Sequence, residues 1–139
     1  MKVAIRYFTK SKKGNTEKIA SFISNKIGVE ALDVSHPLNE EVEQLLLVNA
    51  MYAADVDKEI KEFIKNNKDN IKTLININSS ASGASTYKAV KKVCDKYGVT
   101  ISEKHFTTVA SWIFINKGRP NEDDYAKLTS FLEETVNNG

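Results

Sequence analysis

Residues 9–16 carry the side-chain types and spacing that hold an anion. The run Thr9-Lys10-Ser11-Lys12-Lys13-Gly14-Asn15-Thr16 follows the apolar Val3-Ala4-Ile5 and leads into an amphipathic segment. A helix that starts here leaves backbone N–H groups unpaired at the positive end of its dipole. The hydroxyls of Thr9, Ser11 and Thr16 and the amide of Asn15 add donors. Gly14 lets the backbone approach a ligand closely. Lys12 and Lys13 add charge that suits a phosphate dianion. The expectation is a phosphate-bearing ligand contacted by Thr9, Ser11, Lys12, Lys13, Gly14, Asn15 and Thr16.

Two further segments have the same small, polar character. Asn78-Ser79-Ser80-Ala81-Ser82-Gly83-Ala84-Ser85 offers hydroxyl and backbone donors with little bulk. Asn49–Ala54 follows an apolar run and contains Tyr52, the one aromatic in either segment. Asn49 and Asn78 fall at the ends of their apolar runs and are expected to reach the ligand, with Ser79, Ser80, Ser82, Gly83 and Tyr52 beside it.

These loops need elements to bring them together, and the chain alternates two hydrophobic periods. Lys2–Phe8 reads as a strand, and Asn15–Ile27 as a helix with Ile19, Phe22, Ile23 and Ile27 on one face, closed by Gly28. Val29–Val34 is a second strand. Gln44–Ala50, with Leu45-Leu46-Leu47-Val48, is a near-continuous apolar run, the mark of a strand covered on both faces. Asp55–Asn66 reads as a helix capped by Asp55. Thr73–Asn78 is a fourth strand, and Thr86–Tyr97 a third helix closed by Gly98. Thr100–Val109 alternates as an edge strand would, and Ile113–Ile115 extends it. Asn121 caps a last helix with Glu122, Asp123 and Asp124 in its first turn.

Strands and helices in this alternation predict an α/β fold with a parallel sheet covered on both faces. Ser35–Glu43 is too short for a regular crossover helix, so the helix between strands 2 and 3 is expected to be short or absent. In such sheets ligands sit beyond the carboxyl ends of the strands, where all three polar loops fall.

Bulk properties narrow the class. The 139 residues suit one domain, 1–139. Hydrophobic residues at 41% and charged residues at 27% describe an ordinary globular chain. A formal charge of +2, with lysines scattered beside Glu and Asp, does not favour nucleic acid. The lone Cys94 excludes an internal disulfide or a multi-cysteine metal centre. No apolar run is long enough to span a membrane, so the expected location is cytoplasmic.

At the three loops, and at Asn116-Lys117-Gly118-Arg119-Pro120-Asn121-Glu122-Asp123-Asp124, the chain resembles the flavodoxin-like family, particularly short single-domain bacterial members. The resemblance covers nearly the whole length. It implies a three-layer sandwich around a five-stranded parallel sheet of order 2-1-3-4-5. It also implies an FMN cofactor with its 5′-phosphate on Thr9, Ser11, Asn15 and Thr16, and its ring between Tyr52 and Ser79–Gly83. The family's chemistry is electron transfer or flavin-dependent reduction, with a redox partner protein or a small-molecule electron acceptor. The protein tunes the flavin and supplies no acid or base.

Four departures stand out. Lys12 and Lys13 lengthen the first loop by two residues against the family pattern. Val48-Asn49 stands where small residues are usual, and Thr108-Val109-Ala110 where relatives often carry Cys-x-Gly. The chain is also basic where electron-carrying flavodoxins are acidic. The departures at Lys12-Lys13 and Thr108–Ala110 support an alternative, a flavodoxin-fold module that has lost flavin and binds another phosphate-bearing ligand or a protein partner; the retained Asn15-Thr16 and Tyr52 oppose it. A P-loop phosphotransferase is excluded, because no Gly-Lys-Ser/Thr follows a four-residue spacer. A receiver domain is disfavoured by the lack of paired acidic residues after strand 1.

Other residues read as structure. Arg6 lies in a central strand, where a charge needs a partner, and Asp33 on the neighbouring strand is the expected one. Asn76 is expected to be hydrogen-bonded within the core, Cys94 to be buried and inert, and Trp112 to pack on the last helix. His36 and His105 carry no assigned role.

Overall fold

The computed structural model describes residues 2–10, 14–51, 55–110 and 118–136. Its elements are β1 (Val3–Tyr7), α1 (Asn15–Ile27), β2 (Ala31–Asp33), β3 (Val42–Ala50), α2 (Lys58–Asn67), β4 (Ile71–Ser80), α3 (Tyr87–Tyr97), β5 (Thr100–Ile101), β6 (Phe106–Val109) and α4 (Glu122–Thr135). All pairings are parallel, in the order β2-β1-β3-β4-β5, with β6 also against β4. This is the expected α/β sandwich with sheet order 2-1-3-4-5.

Alternation along the central strands sorts side chains to two cores. Leu45 and Leu47 of β3 and Leu74 of β4 face α2 and α3, meeting Ile60, Phe63, Ile64, Val90 and Cys94. Leu46, Val48, Ile75 and Ile77 face the other way, against Ile19, Ile23, Leu128 and Leu132 of α1 and α4. Each such side chain removed from water contributes about 1.5–3 kcal/mol, so the two inner strands anchor both cores.

The helix ends follow local chemistry. Gly28 closes α1 at φ 71°, a left-handed conformation that a side chain disfavours, and its N–H bonds to Ser24 O at 2.9 Å. Asn121 and Asp124 form a reciprocal capping box at the start of α4. The cap of α2 is Asp57, not Asp55: Asp57 accepts from the Glu59 N–H at 3.1 Å. Asp55 instead accepts from the Val56 N–H at 2.8 Å and pairs with Lys61 at 2.7 Å.

No helix joins β2 to β3, as expected, and the segment that replaces it explains Arg6. Leu38 tucks into the α2-side core, and its N–H is held by Asn67 Oδ1 at 2.8 Å. Beneath this loop Arg6 is 8% exposed and donates to three carbonyls: His36 at 2.8 Å, Ile5 at 3.0 Å and Pro37 at 3.3 Å. The expected ion pair with Asp33 does not form. Where a covering helix would bond its own carbonyls, an extended loop leaves them open, and the guanidinium takes that role. Burial lowers the Arg6 pKa, opposed by the negative charges of Glu30 and Asp33.

The predicted edge strand 100–109 is broken into β5 and β6. Ile101 pairs with Leu74 and Phe106 with Ile77, so three steps along β4 are matched by five on the edge. Ser102-Glu103-Lys104-His105 offers no apolar residue to the sheet and bulges outward, its turn held by Ser102 Oγ on the Lys104 N–H at 3.2 Å. Cys94 is fully buried, and burial pushes its thiol pKa up to about 12, so it stays protonated and inert.

Candidate functional site

The carboxyl edge of the sheet brings the polar segments together. β1 ends at Tyr7 and delivers Phe8 and Thr9 beside β3, with the Phe8 N–H on Val48 O at 3.2 Å. Gly14 then starts α1 in an extended conformation and, lacking a side chain, caps none of its N–H groups. Thr16, in the first turn, is buried, and its Oγ1 lies 3.5 Å from Ser79 Oγ at the end of β4. Residues 63 positions apart thus place two hydroxyls together at the start of a helix. That combination offers donors to an oxyanion.

Three groups define the loop after β4. Ser80 O accepts from the Gly83 N–H at 3.4 Å and from the Ala110 N–H at 3.0 Å, so the turn is tied to the edge strand. Gly83 sits at φ 80°, a conformation side chains rarely adopt. Ser82 Oγ accepts from the Ala84 N–H at 3.3 Å, stiffening the exposed tip. The Ser80 hydroxyl is the one buried side-chain polar atom without a hydrogen-bond partner among the described residues.

Beneath the loop lies a buried polar network that includes Asn49 and Asn78, the two amides expected at the ligand. Asn49 and Asn78 are fully buried, and their amides are spent inside the protein. Asn49 Nδ2 donates to Asn76 Oδ1 at 2.8 Å, Asn76 Nδ2 to Thr86 Oγ1 at 3.0 Å, and Thr86 Oγ1 to Asn49 Oδ1 at 2.6 Å. Asn78 Oδ1 receives the Thr86 N–H at 3.2 Å and Thr107 Oγ1 at 2.8 Å, while its Nδ2 reaches Ala84 O at 3.1 Å. These amides support the loop from below, because unpaired buried amides are costly and neighbouring hydroxyls satisfy them. Asn76 is structural, as expected. Thr86 and Thr107 were missed; small hydroxyl residues beside buried asparagines were the available signal.

A cleft of about 500 Å³ opens beside β1 and β2, lined by Tyr7, Thr9, Glu17, Asp33, Ser35 and Glu59. The Ser35 hydroxyl and N–H hold the Asp33 carboxyl below its ordinary value, with the N–H contact at 2.7 Å. Burial raises the Tyr7 pKa, and the charges of Glu17 and Asp33 add to it. Three carboxylates disfavour an anion in this cleft. The donors suited to phosphate therefore lie on the Thr16–Ser79 side of the edge. Of the sequence-predicted residues, Thr9, Gly14, Asn15, Thr16, Ser79, Ser80, Ser82 and Gly83 share this edge. Ser11, Lys12, Lys13, Tyr52 and Trp112 lie outside the described residues.

The architecture recurs in known proteins. A flavodoxin from the domain Archaea superposes with a TM-score of 0.73 at 15% identity, covering 94% of this chain and 93% of the other. A flavodoxin from Streptococcus pneumonia TIGR4 gives 0.64 at 16% identity, covering 95% and 96%. An NADH:FMN oxidoreductase in its apo form gives 0.65 at 13% identity, covering 95% and 86%. No curated protein sequence matches the chain. The sequence model of the flavodoxin domain matches residues 7–126, from the end of β1 into α4. With that match over most of its length and the parallel 2-1-3-4-5 sheet, the chain belongs to the flavodoxin domain family.

Proposed function

We propose that this protein binds FMN at the carboxyl edge of its sheet and passes electrons through it. The observation that carries this reading is the meeting of Thr16 and Ser79 at the glycine-started N-terminus of α1. The residues present fit the group. A phosphate needs several donors and little bulk, and Gly14, Thr16 and Ser79 supply both. Thr9, Ser11, Asn15, Lys12 and Lys13 extend that donor set. The small loop Ser79–Gly83 and Tyr52 would flank the flat ring, with the unpartnered Ser80 hydroxyl as a further donor. Bound FMN would supply one- or two-electron chemistry, while the chain binds, orients and shields it. A redox partner protein or small-molecule acceptor would take the electrons.

The test is a titration with FMN and with riboflavin, read by quenched flavin fluorescence. Binding at micromolar FMN is expected. Thr16→Val, close in shape, should weaken FMN by roughly tenfold or more, the cost of one hydrogen bond to a charged group, and riboflavin far less. No binding at micromolar FMN overturns the reading. It would favour the alternative suggested by the Lys12–Lys13 insertion, a module that takes another phosphate-bearing ligand or a protein partner.

A further inference from the structure

Four lysines that look scattered in sequence are gathered by the fold. A groove of about 520 Å³ runs between α2 and α3, lined by Lys61, Lys88, Lys92 and Lys96 over Ala89 and Val93. Its one carboxylate, Asp55, is already paired with Lys61 at 2.7 Å. On α3, Lys88, Lys92 and Lys96 recur every four residues and so share one exposed face. Lys91, on the flank of that face, is neutralised by Asp95 at 2.9 Å.

Two further facts sharpen the charge pattern. α3 begins without an acidic residue in its first turn, whereas α1, α2 and α4 each carry one there. Lys88 sits in that turn, against the helix dipole, so positive potential is concentrated rather than relieved. On the opposite flank of α2, Glu59 and Glu62 line a separate cleft of about 320 Å³. Four lysines thus share one groove on a chain whose net charge is only +2.

We propose that the α2–α3 groove docks the acidic face of a partner protein. The span selects the partner class. Eight residues of helix separate Lys88 from Lys96, about 12 Å at 1.5 Å per residue. One phosphate group cannot meet both ends, whereas a row of carboxylates on a protein surface can. A net charge of only +2 does not favour an extended polyanion such as nucleic acid or an anionic bilayer. The groove begins at Lys88, two residues after Thr86, which anchors the Asn78–Thr86 loop. A protein seated there adjoins the edge proposed to hold flavin. The partner's redox role rests on the FMN reading; the docking does not.

The test uses the full ¹⁵N-labelled chain without flavin, titrated with an acidic plant-type [2Fe–2S] ferredoxin and followed by amide shifts. Shifts centred on α2 and α3, weakening as salt rises, are expected. Lys92→Glu with Lys96→Glu should weaken binding about tenfold or more, and the charge-matched pair Lys26→Glu with Lys127→Glu far less. The proposal is overturned by equal weakening in both pairs, by shifts on the Glu17–Asp33 side, or by no groove-centred binding. It is also overturned if duplex DNA or anionic vesicles bind the groove more tightly than ferredoxin does. Salt-sensitive self-association lost in the groove pair would instead make the occupant a second copy. Flavin binding, measured separately, reports on the FMN reading alone.

Discussion

Thr86 Oγ1 donates to Asn49 Oδ1 at 2.6 Å, joining the start of α3 to the end of β3 across 37 positions of sequence. The same oxygen accepts from Asn76 at 3.0 Å, so one hydroxyl satisfies two buried amides. The loop between β4 and α3 is therefore positioned by the core beneath it.

Thr86→Val should cost about 2–4 kcal/mol in urea unfolding, because it leaves a buried acceptor and a buried donor unpaired. Thr86→Ser, which keeps the hydroxyl, should cost under about 1 kcal/mol. If the loop also shapes the flavin site, Thr86→Val will weaken FMN more than its loss of stability alone explains. Equal stability of the Val and Ser variants would show that the network contributes nothing.

Arg6 offers a test of the loop that replaces a helix. Arg6→Ala strands the carbonyls of His36 and Pro37 and should cost about 2–4 kcal/mol, with faster amide exchange across residues 34–41. Arg6→Lys should recover only part, since an ammonium does not reproduce the planar fork. Asp33→Asn should change stability by under about 0.5 kcal/mol through Arg6, because no ion pair joins them. A large coupling between Arg6 and Asp33 in a double-mutant cycle would contradict this account.

Asp124 sets a pH dependence. Arg119 binds it through Nη2 at 2.5 Å and Nε at 3.0 Å, and the Asn121 N–H adds 2.8 Å. These contacts, Arg119 first, hold its carboxyl below the ordinary value near 3.8. A carboxyl lowered by folding contributes stability above its unfolded pKa, and loses it as pH falls through the folded one. Wild type should therefore lose stability below about pH 4. Asp124→Asn should show a shallower loss there, from a baseline at pH 7 lower by roughly 1–3 kcal/mol. Parallel acid profiles for the two proteins would rule the linkage out.

Much of the fold was legible because local and global preferences agree. Asn15–Ile27 forms a helix over the predicted range, since the apolar stripe and Gly28 mark both its face and its end. Leu45–Val48 reads as buried on both faces and is. What escaped the sequence were partners chosen by tertiary contact. Arg6 was matched to a carboxylate by charge, yet backbone carbonyls of an unpredicted loop conformation took it. Asn49 and Asn78 were given to a ligand by position, and their partners Thr86 and Thr107 went unnoticed. The edge strand 100–109 broke because four polar residues in its middle had no face to bury. In the site, the types at Gly14, Thr16 and Ser79 pointed to an anion, but their convergence needed a sheet order that puts β3 between β1 and β4, with α1 packed across β3 onto β4.

Among the described residues both rims of the sheet are short. β2 has three residues on one side, and on the other β5 has two and β6 four, separated by the outward bulge at Ser102–His105. Among the described residues, a foreign strand finds no continuous row of open N–H and C=O groups on which to extend the ladder. The same polar quartet that spoiled the regular edge strand thus guards the chain against strand-templated aggregation.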